Sequence, residues 1–252
     1  MNKESYSKPT VSAPYAAVHG IKSYFGGKGG SGTYQALINQ IPPHHTYVAG
    51  FLGHDAIFRM KAPAMDNIGI DISSRVIRAW KQATLYHPLS EKNTWFLEGD
   101  FLAMNRNVWD TAGTFLYLDP PYPMETRKSA RNRYDYELST TEHEVLLSKA
   151  LAANCMVAIS SYPNALYDAR LKGWRYIDFS SRTRGGTATE RLYMNYPEPT
   201  ELHDYSYLGS DFKEREQIKI KFGRWINNFE SLPALEQNMR IQYLSHHKNT
   251  GS

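Results

Sequence analysis

From Thr46 onward the chain alternates short apolar runs with stretches of helical spacing, and few folds accept that alternation. The runs are TYVAGF (46–51), NIGID (67–71), TWFLE (94–98), TFLYLD (114–119), CMVAIS (155–160), WRYIDF (174–179) and RLYMNY (191–196). Helical patterns fall near 54–62, 73–86, 142–153 and 164–171. Strands separated by helices predict an α/β fold, a mostly parallel sheet with helices on both faces. Ligands of such sheets sit beyond the carboxyl ends of the strands. One helix start is well signed. Ser139-Thr140-Thr141-Glu142 fits a capping box, in which a hydroxyl and a carboxylate satisfy orphan backbone N–H groups.

The pattern changes after Pro197 and Pro199. Asp211-Phe212-Lys213-Glu214 resembles another helix start. Ile218, Phe222, Trp225, Phe229 and Leu232 then recur at four- and three-residue steps, an apolar stripe on one helix. Pro233 interrupts it, and Leu235, Met239 and Tyr243 suggest a second helix. The expected organisation is a loose arm over 1–20, a main domain over 21–200 and a helical extension over 201–252. The stripe fits a hairpin packed on the main domain, a dimer seam or a nucleic-acid clamp.

Composition narrows the classes. A single cysteine in 252 residues excludes a disulfide framework and a multi-cysteine metal site, and no metal is expected. No apolar run approaches the roughly 18–20 residues a membrane span needs, so no membrane partner is expected. The first residues lack the apolar core of a signal peptide, which leads us to expect a soluble intracellular, cytoplasmic protein. A net charge of +4 permits a polyanionic partner.

Asp119-Pro120-Pro121-Tyr122 follows the apolar strand TFLYL directly and so belongs at a carboxyl end. Two consecutive prolines fix the backbone and remove two N–H donors. The loop then offers carbonyl oxygens, one carboxylate and one aromatic face. That set suits an exocyclic amine on a planar base, a poor nucleophile because its lone pair is delocalised into the ring. The Asp119 carboxylate and the Pro120 carbonyl can hold its two hydrogens and turn the lone pair toward an electrophile. Tyr122 can stack on a base that has left the duplex. A plain Pro-Pro turn fits the same residues.

With this tetrapeptide in place, the sequence resembles the Dam-type, D12-class DNA adenine-N6 methyltransferases, especially compact phage and prophage members, among which restriction–modification systems occur. The resemblance runs from about Ile21 to Tyr196 and extends toward the helical tail. Tyr24, Phe25, Gly26, Gly27 and Lys28 resemble the family's aromatic-x-Gly-Gly-Lys motif, which helps bind S-adenosylmethionine. Phe51, Leu52 and Gly53 resemble the start of its glycine loop after the first strand. Asp71, with Ile72 beside it, resembles the acidic residue that holds the cofactor's ribose hydroxyls. Asp100 and Phe101 stand where the family contacts the cofactor's adenine. The segment from Gly186 to Glu190 and the strand after it resemble the last hairpin. The resemblance implies a seven-stranded Rossmann-like S-adenosylmethionine-dependent methyltransferase sheet. It implies methyl transfer to the N6 amine of adenine in DNA, with Asp119, Pro120, Pro121 and Tyr122 as the catalytic loop and DNA as partner of a monomer or homodimer.

Two departures stand out. Gly53-His54-Asp55 replaces the expected Gly-x-Gly, and Asp55 is expected to tolerate a left-handed backbone while facing the cofactor's positive end. The stretch between Asp71 and Asp119 has no room for a recognition domain. Recognition then falls to the tail or to the loop after the tetrapeptide, where Arg127, Lys128, Arg131 and Arg133 can grip phosphates and Tyr134 can approach the flipped base. Short or relaxed specificity is expected. Cytosine-N4 or RNA methylation and a catalytically silent DNA-binding protein remain open. Residues 26–33 (GGKGGSGT) miss the P-loop pattern, because no lysine precedes Thr33. Cys155 reads as a core residue.

Overall fold

The structure is a computed structural model and describes residues 28–30, 32–84, 93–127, 135–183 and 186–249. In chain order the elements are α1 (Thr33–Ile38), β1 (Thr46–Ala49), α2 (Ala56–Met60), β2 (Asp66–Asp71), α3 (Ser74–Thr84), β3 (Asn93–Glu98) and β4 (Thr114–Leu118). They continue as α4 (Thr140–Leu151), β5 (Met156–Ser161), α5 (Ala165–Arg170), β6 (Arg175–Thr183), β7 (Gly186–Met194), α6 (Phe212–Glu230) and α7 (Ala234–Asn249). All seven apolar runs become strands. β7 starts earlier than its run, at Gly186. Helix α1 had no periodicity to announce it.

The sheet order is β3-β2-β1-β4-β5-β7-β6. The first five strands in that order are parallel, and β7 pairs antiparallel with both β5 and β6. This is the seven-stranded Rossmann-like sheet the sequence led us to expect. The chain builds outward from β1 through β2 to β3, then returns to place β4 on the other side of β1. The order therefore reverses between β1 and β4. In an open α/β sheet a crevice forms beyond the carboxyl ends at such a reversal.

Burial explains why β4 is apolar after Thr114 rather than alternating: every residue of it is buried. Phe115 and Tyr117 enter one core with Tyr47, Phe58 and Trp80. Leu116 and Leu118 enter the other with Val48, Ile70, Phe101 and Ile159. Each fully buried side chain of this size contributes roughly 1.5–3 kcal/mol. The capping box at α4 forms as expected, with Ser139 Oγ accepting from Glu142 N and the Glu142 carboxylate accepting from Ser139 N.

The described chain forms two compact units, one ending at Tyr207 and one beginning at Leu208. Residues 201–207 stay with the first unit: Asp204 accepts from Ala62 N, and Tyr207 lies in a core. In the second unit Asp211 caps α6 by accepting from Glu214 N. The Glu214 carboxylate reaches Ser210 N rather than Asp211 N. The apolar stripe of α6 shows as a ladder of stacked rings, Phe222 on Trp225 and Trp225 on Phe229. No helix among the described residues is long and apolar enough to cross a membrane.

Candidate active site

The strand ends at the reversal deliver the candidate residues. After β1 the chain turns sharply at Gly50, where a Cβ would lie 2.5 Å from the Leu118 side chain and 3.0 Å from Phe101. Any larger residue there would force the Leu118 or Phe101 side chain to shift. Gly53 takes the left-handed backbone, with φ of 38°. Trp80 of α3 donates to the Gly53 carbonyl at 2.8 Å and so holds the loop from the flank. Asp71 closes β2, and its two carboxylate oxygens accept from Gly53 N and Ser73 N, each at 2.8 Å. Each oxygen keeps a lone pair for a further donor. Burial raises the Asp71 pKa, while these two backbone hydrogen bonds oppose the rise.

Asp55 departs from expectation. No described residue other than glycine has a positive φ, so Gly53 rather than Asp55 supplies the left-handed turn. Asp55 instead caps α2, accepting from Ile57 N at 2.7 Å, and Tyr47 donates to its other oxygen at 3.2 Å. It is 7% exposed. Burial, with the nearby Asp119 charge, pushes its pKa up to about 7.

A cavity of about 250 Å3 opens at these strand ends, lined by Gly50, Phe51, Leu52, Gly53, Asp55, Asp71, Ile72, Asp100, Phe101, Asp119, Pro120 and Pro121, and by Lys28. Water occupies roughly 30 Å3 per molecule in the liquid, so the space suits an organic ligand rather than a single solvent molecule. Of the expected cofactor residues, the structure brings together all that are described. Tyr24, Phe25, Gly26 and Gly27 lie outside the described residues. Asp100 is exposed, and its carboxylate accepts from Leu102 N. Ile72 is exposed at the cavity wall.

The tetrapeptide leaves the end of β4 at the reversal. Asp119 does not stand alone there. The Lys28 ammonium lies 2.9 Å from Asp119 Oδ1 and 2.9 Å from Glu190 Oε2. It also donates to Tyr122 Oη, and Tyr122 in turn donates to Glu190 Oε2 at 2.5 Å. Ser181 Oγ donates to the other Glu190 oxygen. Burial alone would lower the Lys28 pKa, but the Asp119 and Glu190 carboxylates outweigh it and hold it above its ordinary value. Burial raises Asp119, and the Glu190 charge adds to that rise against the pull of Lys28. Burial also works against Glu190, yet Lys28, Ser181 and Tyr122 hold it below the usual carboxylate range.

Two expected roles change with these contacts. Tyr122 was expected to offer an open face to an extruded base. Its ring is only 5% exposed, stands edge-on to Tyr162 at 4.8 Å and lies under the Lys28 ammonium. Its hydroxyl anchors the loop. Arg127 was expected to meet phosphates. Its side chain is 2% exposed, pairs with Glu137 at 2.6 Å and donates to the Tyr122 carbonyl. It clasps the backbone that follows the tetrapeptide. Lys128, Arg131, Arg133 and Tyr134 lie outside the described residues.

Among the residues of the site that sequence reasoning missed are Glu190 and Tyr136. Glu190 sits in period-two register with Leu192 and Met194, both core residues, so its inward direction was readable from the alternation of β7. Tyr136 lines the cavity and is 51% exposed, so it is an aromatic residue open to a ligand in a way that Tyr122 is not.

No protein-family model matches the chain, and no curated protein sequence does. Solved structures share part of its fold. An rRNA methylase from Streptococcus thermophilus aligns at 10% identity over 64% of this chain and 92% of its own, with a TM-score of 0.43. A magnesium protoporphyrin IX methyltransferase from Synechocystis, with bound SAM, aligns at 16% identity over 65% and 74%, also at 0.43. A dimethyladenosine transferase from Plasmodium falciparum aligns at 13% identity over 64% and 58%, at 0.42. At these values the function of the chain rests on its own site.

Proposed function

We propose that the chain is an S-adenosylmethionine-dependent methyltransferase acting on the N6 amine of adenine in DNA. The observation that carries this reading is the placement of Asp119-Pro120-Pro121-Tyr122 at the end of β4, opening into the same cavity as Asp71 of β2.

The cavity residues fit the cofactor. Asp71 has acceptor capacity for vicinal hydroxyls, Phe51, Ile72 and Phe101 offer apolar surface to a purine, and the Asp119 carboxylate would offer negative charge to a sulfonium. When bound, S-adenosylmethionine supplies an electrophilic methyl group, whose bond to sulfur breaks with the electron pair left on sulfur as the bond to nitrogen forms.

The chain's own residues align and polarise. The Asp119 carboxylate and the Pro120 carbonyl accept the two amine hydrogens and keep the lone pair directed at the methyl carbon. The raised pKa of Asp119 makes it a stronger acceptor. It takes the proton that the amine loses and passes it to solvent. Tyr136 provides a ring against which an extruded base can stack. With Gly53 in the left-handed position, Asp55 in the cofactor loop does not count against cofactor binding.

Incubation with unmodified DNA and labelled cofactor, followed by single-molecule mapping of modified bases, tests the reading. N6-methyladenine at short or relaxed sites is expected, and a single motif of about six fixed base pairs would contradict the specificity. N4-methylcytosine, or label in RNA alone, would replace the substrate. Asp119→Ala should keep the fold and cofactor affinity while kcat falls roughly 100-fold or more. Near-wild-type turnover in that variant would remove Asp119 from the mechanism.

A further inference from the structure

Glu190 is a carboxylate on the core-facing row of a sheet strand. Leu192 and Met194 follow it in the same register, and both are buried. Burying a charge there is costly unless it is fully paired. It is: three donors converge on it, from Lys28, Tyr122 and Ser181.

The Lys28 ammonium has three hydrogens, and three acceptors take them: Asp119, Glu190 and the Tyr122 hydroxyl. Two carboxylates share one cation, so the cluster keeps one surplus negative charge. Asp119 has 18% of its side chain exposed, on the cavity side, whereas Glu190 has 6%. The outer carboxylate is free to turn toward a ligand, and the inner one is not.

We propose that Glu190 is a positioning residue that retains the Lys28 ammonium, so that Asp119 can release it and accept the substrate amine. The inference rests on the proposed methyl transfer for its catalytic meaning, though the retention itself is a property of the chain alone. With Glu190 present, Lys28 keeps two of its three partners when Asp119 turns away. Without that charge, Lys28 and Asp119 become an isolated buried pair, mutually neutralised, and the amine must compete with an ammonium. The surplus negative charge also favours the positive charge that reaches the amine nitrogen as the methyl group arrives. The displacements of the two carboxyl groups agree in direction, since Glu190 is held below its ordinary value and Asp119 above its own.

The test has an arm in activity and an arm without it. In steady-state methylation, Glu190→Gln should lower kcat by roughly 10- to 100-fold while KM for S-adenosylmethionine moves little. Glu190→Asp should recover part of the loss. Removing Lys28 as well, in a Lys28→Met, Glu190→Gln double variant, should recover turnover relative to Glu190→Gln, because nothing then captures Asp119. Losses that simply multiply, or a change confined to KM, would overturn the proposal.

The second arm is a carboxyl 13C NMR titration, with Asp119 assigned by Asp119→Asn. The charged and titratable groups facing Asp119 include Lys28, Glu190, Tyr122, Asp55, Tyr117, Tyr47 and Tyr167. In the wild type Glu190 should titrate below Asp119, and in Glu190→Gln the Asp119 pKa should fall. If Glu190 titrates above Asp119 in the wild type, the proposal is wrong even should the variant fail to fold. If the titration behaves as expected while the wild type methylates no DNA, the retention of Lys28 stands and the assigned reaction fails.

Discussion

Asp55 is the residue whose chemistry differs most from its appearance in the sequence. A carboxylate beside a glycine turn suggested direct ligand contact, yet its first task is to cap α2 from a buried position. Its folded pKa of about 7 lies above the unfolded value of 3.8. Between those values the folded state holds a proton that the unfolded state has lost. Its contribution to stability is therefore complete below about pH 4 and disappears as pH rises to 7. Asp55→Asn keeps the cap and cannot ionise. In urea denaturation the variant should gain on the wild type as pH rises from 4 to 7, by at most about 4 kcal/mol, and level off above. A gap that stays constant over that range would show that Asp55 ionises normally. At this scale the sequence was legible where a residue's role follows from a backbone position. Asp71 and Asp119 stand at strand ends, and strand ends can be counted. It was not legible where the role depends on a distant partner, since nothing in the tetrapeptide announces that Tyr122 and Lys28 converge on Glu190.

Among elements, the strands were read best, because burial on both faces demands uninterrupted apolar runs, as in Phe115–Leu118 of β4. Helix α4 was found through its cap rather than its stripe, and the cap is also what can be tested. Ser139→Ala should cost about 0.5–2 kcal/mol in chemical denaturation, with Ser139→Asn close to wild type. An unaffected midpoint would mean that Glu142 and the first turn hold without the hydroxyl. Helix α1 escaped notice because it is short and follows glycines, and its position is set from afar. Thr33 Oγ1 donates to the Ser180 carbonyl on β6, and Tyr34 packs edge-on against Tyr207. Tertiary contact rather than local propensity makes that helix.

For the whole molecule, the division at Tyr207 and Leu208 separates tasks as well as contacts. Both cores and every described residue of the candidate site belong to the first unit. The sequence placed the boundary near Pro197 and Pro199, where strand pattern stops, but residues up to Tyr207 still contribute core packing and hydrogen bonds. A chain ending at Tyr207 should fold with native-like circular dichroism and bind S-adenosylmethionine within about threefold of the full chain, a difference under 1 kcal/mol. A chain cut at Pro199 should be less stable, because Ala62 N loses Asp204 and one core loses Tyr207. Equal melting of the two would place the boundary at the prolines after all.

The triangle of Lys28, Asp119 and Glu190 also has a history in time. Its three corners come from the start, middle and end of the first unit's chain, and β1 meets β4 only after β2, α3 and β3 have been made. Contacts between such distant segments form late, since the loop between them must first be closed. A ribosome that has delivered β4 has already exposed a carboxylate at an open crevice, but its cation still lacks the partner carried by β7. Glu190 therefore joins Lys28 and Asp119 only when the last strand slots between β5 and β6.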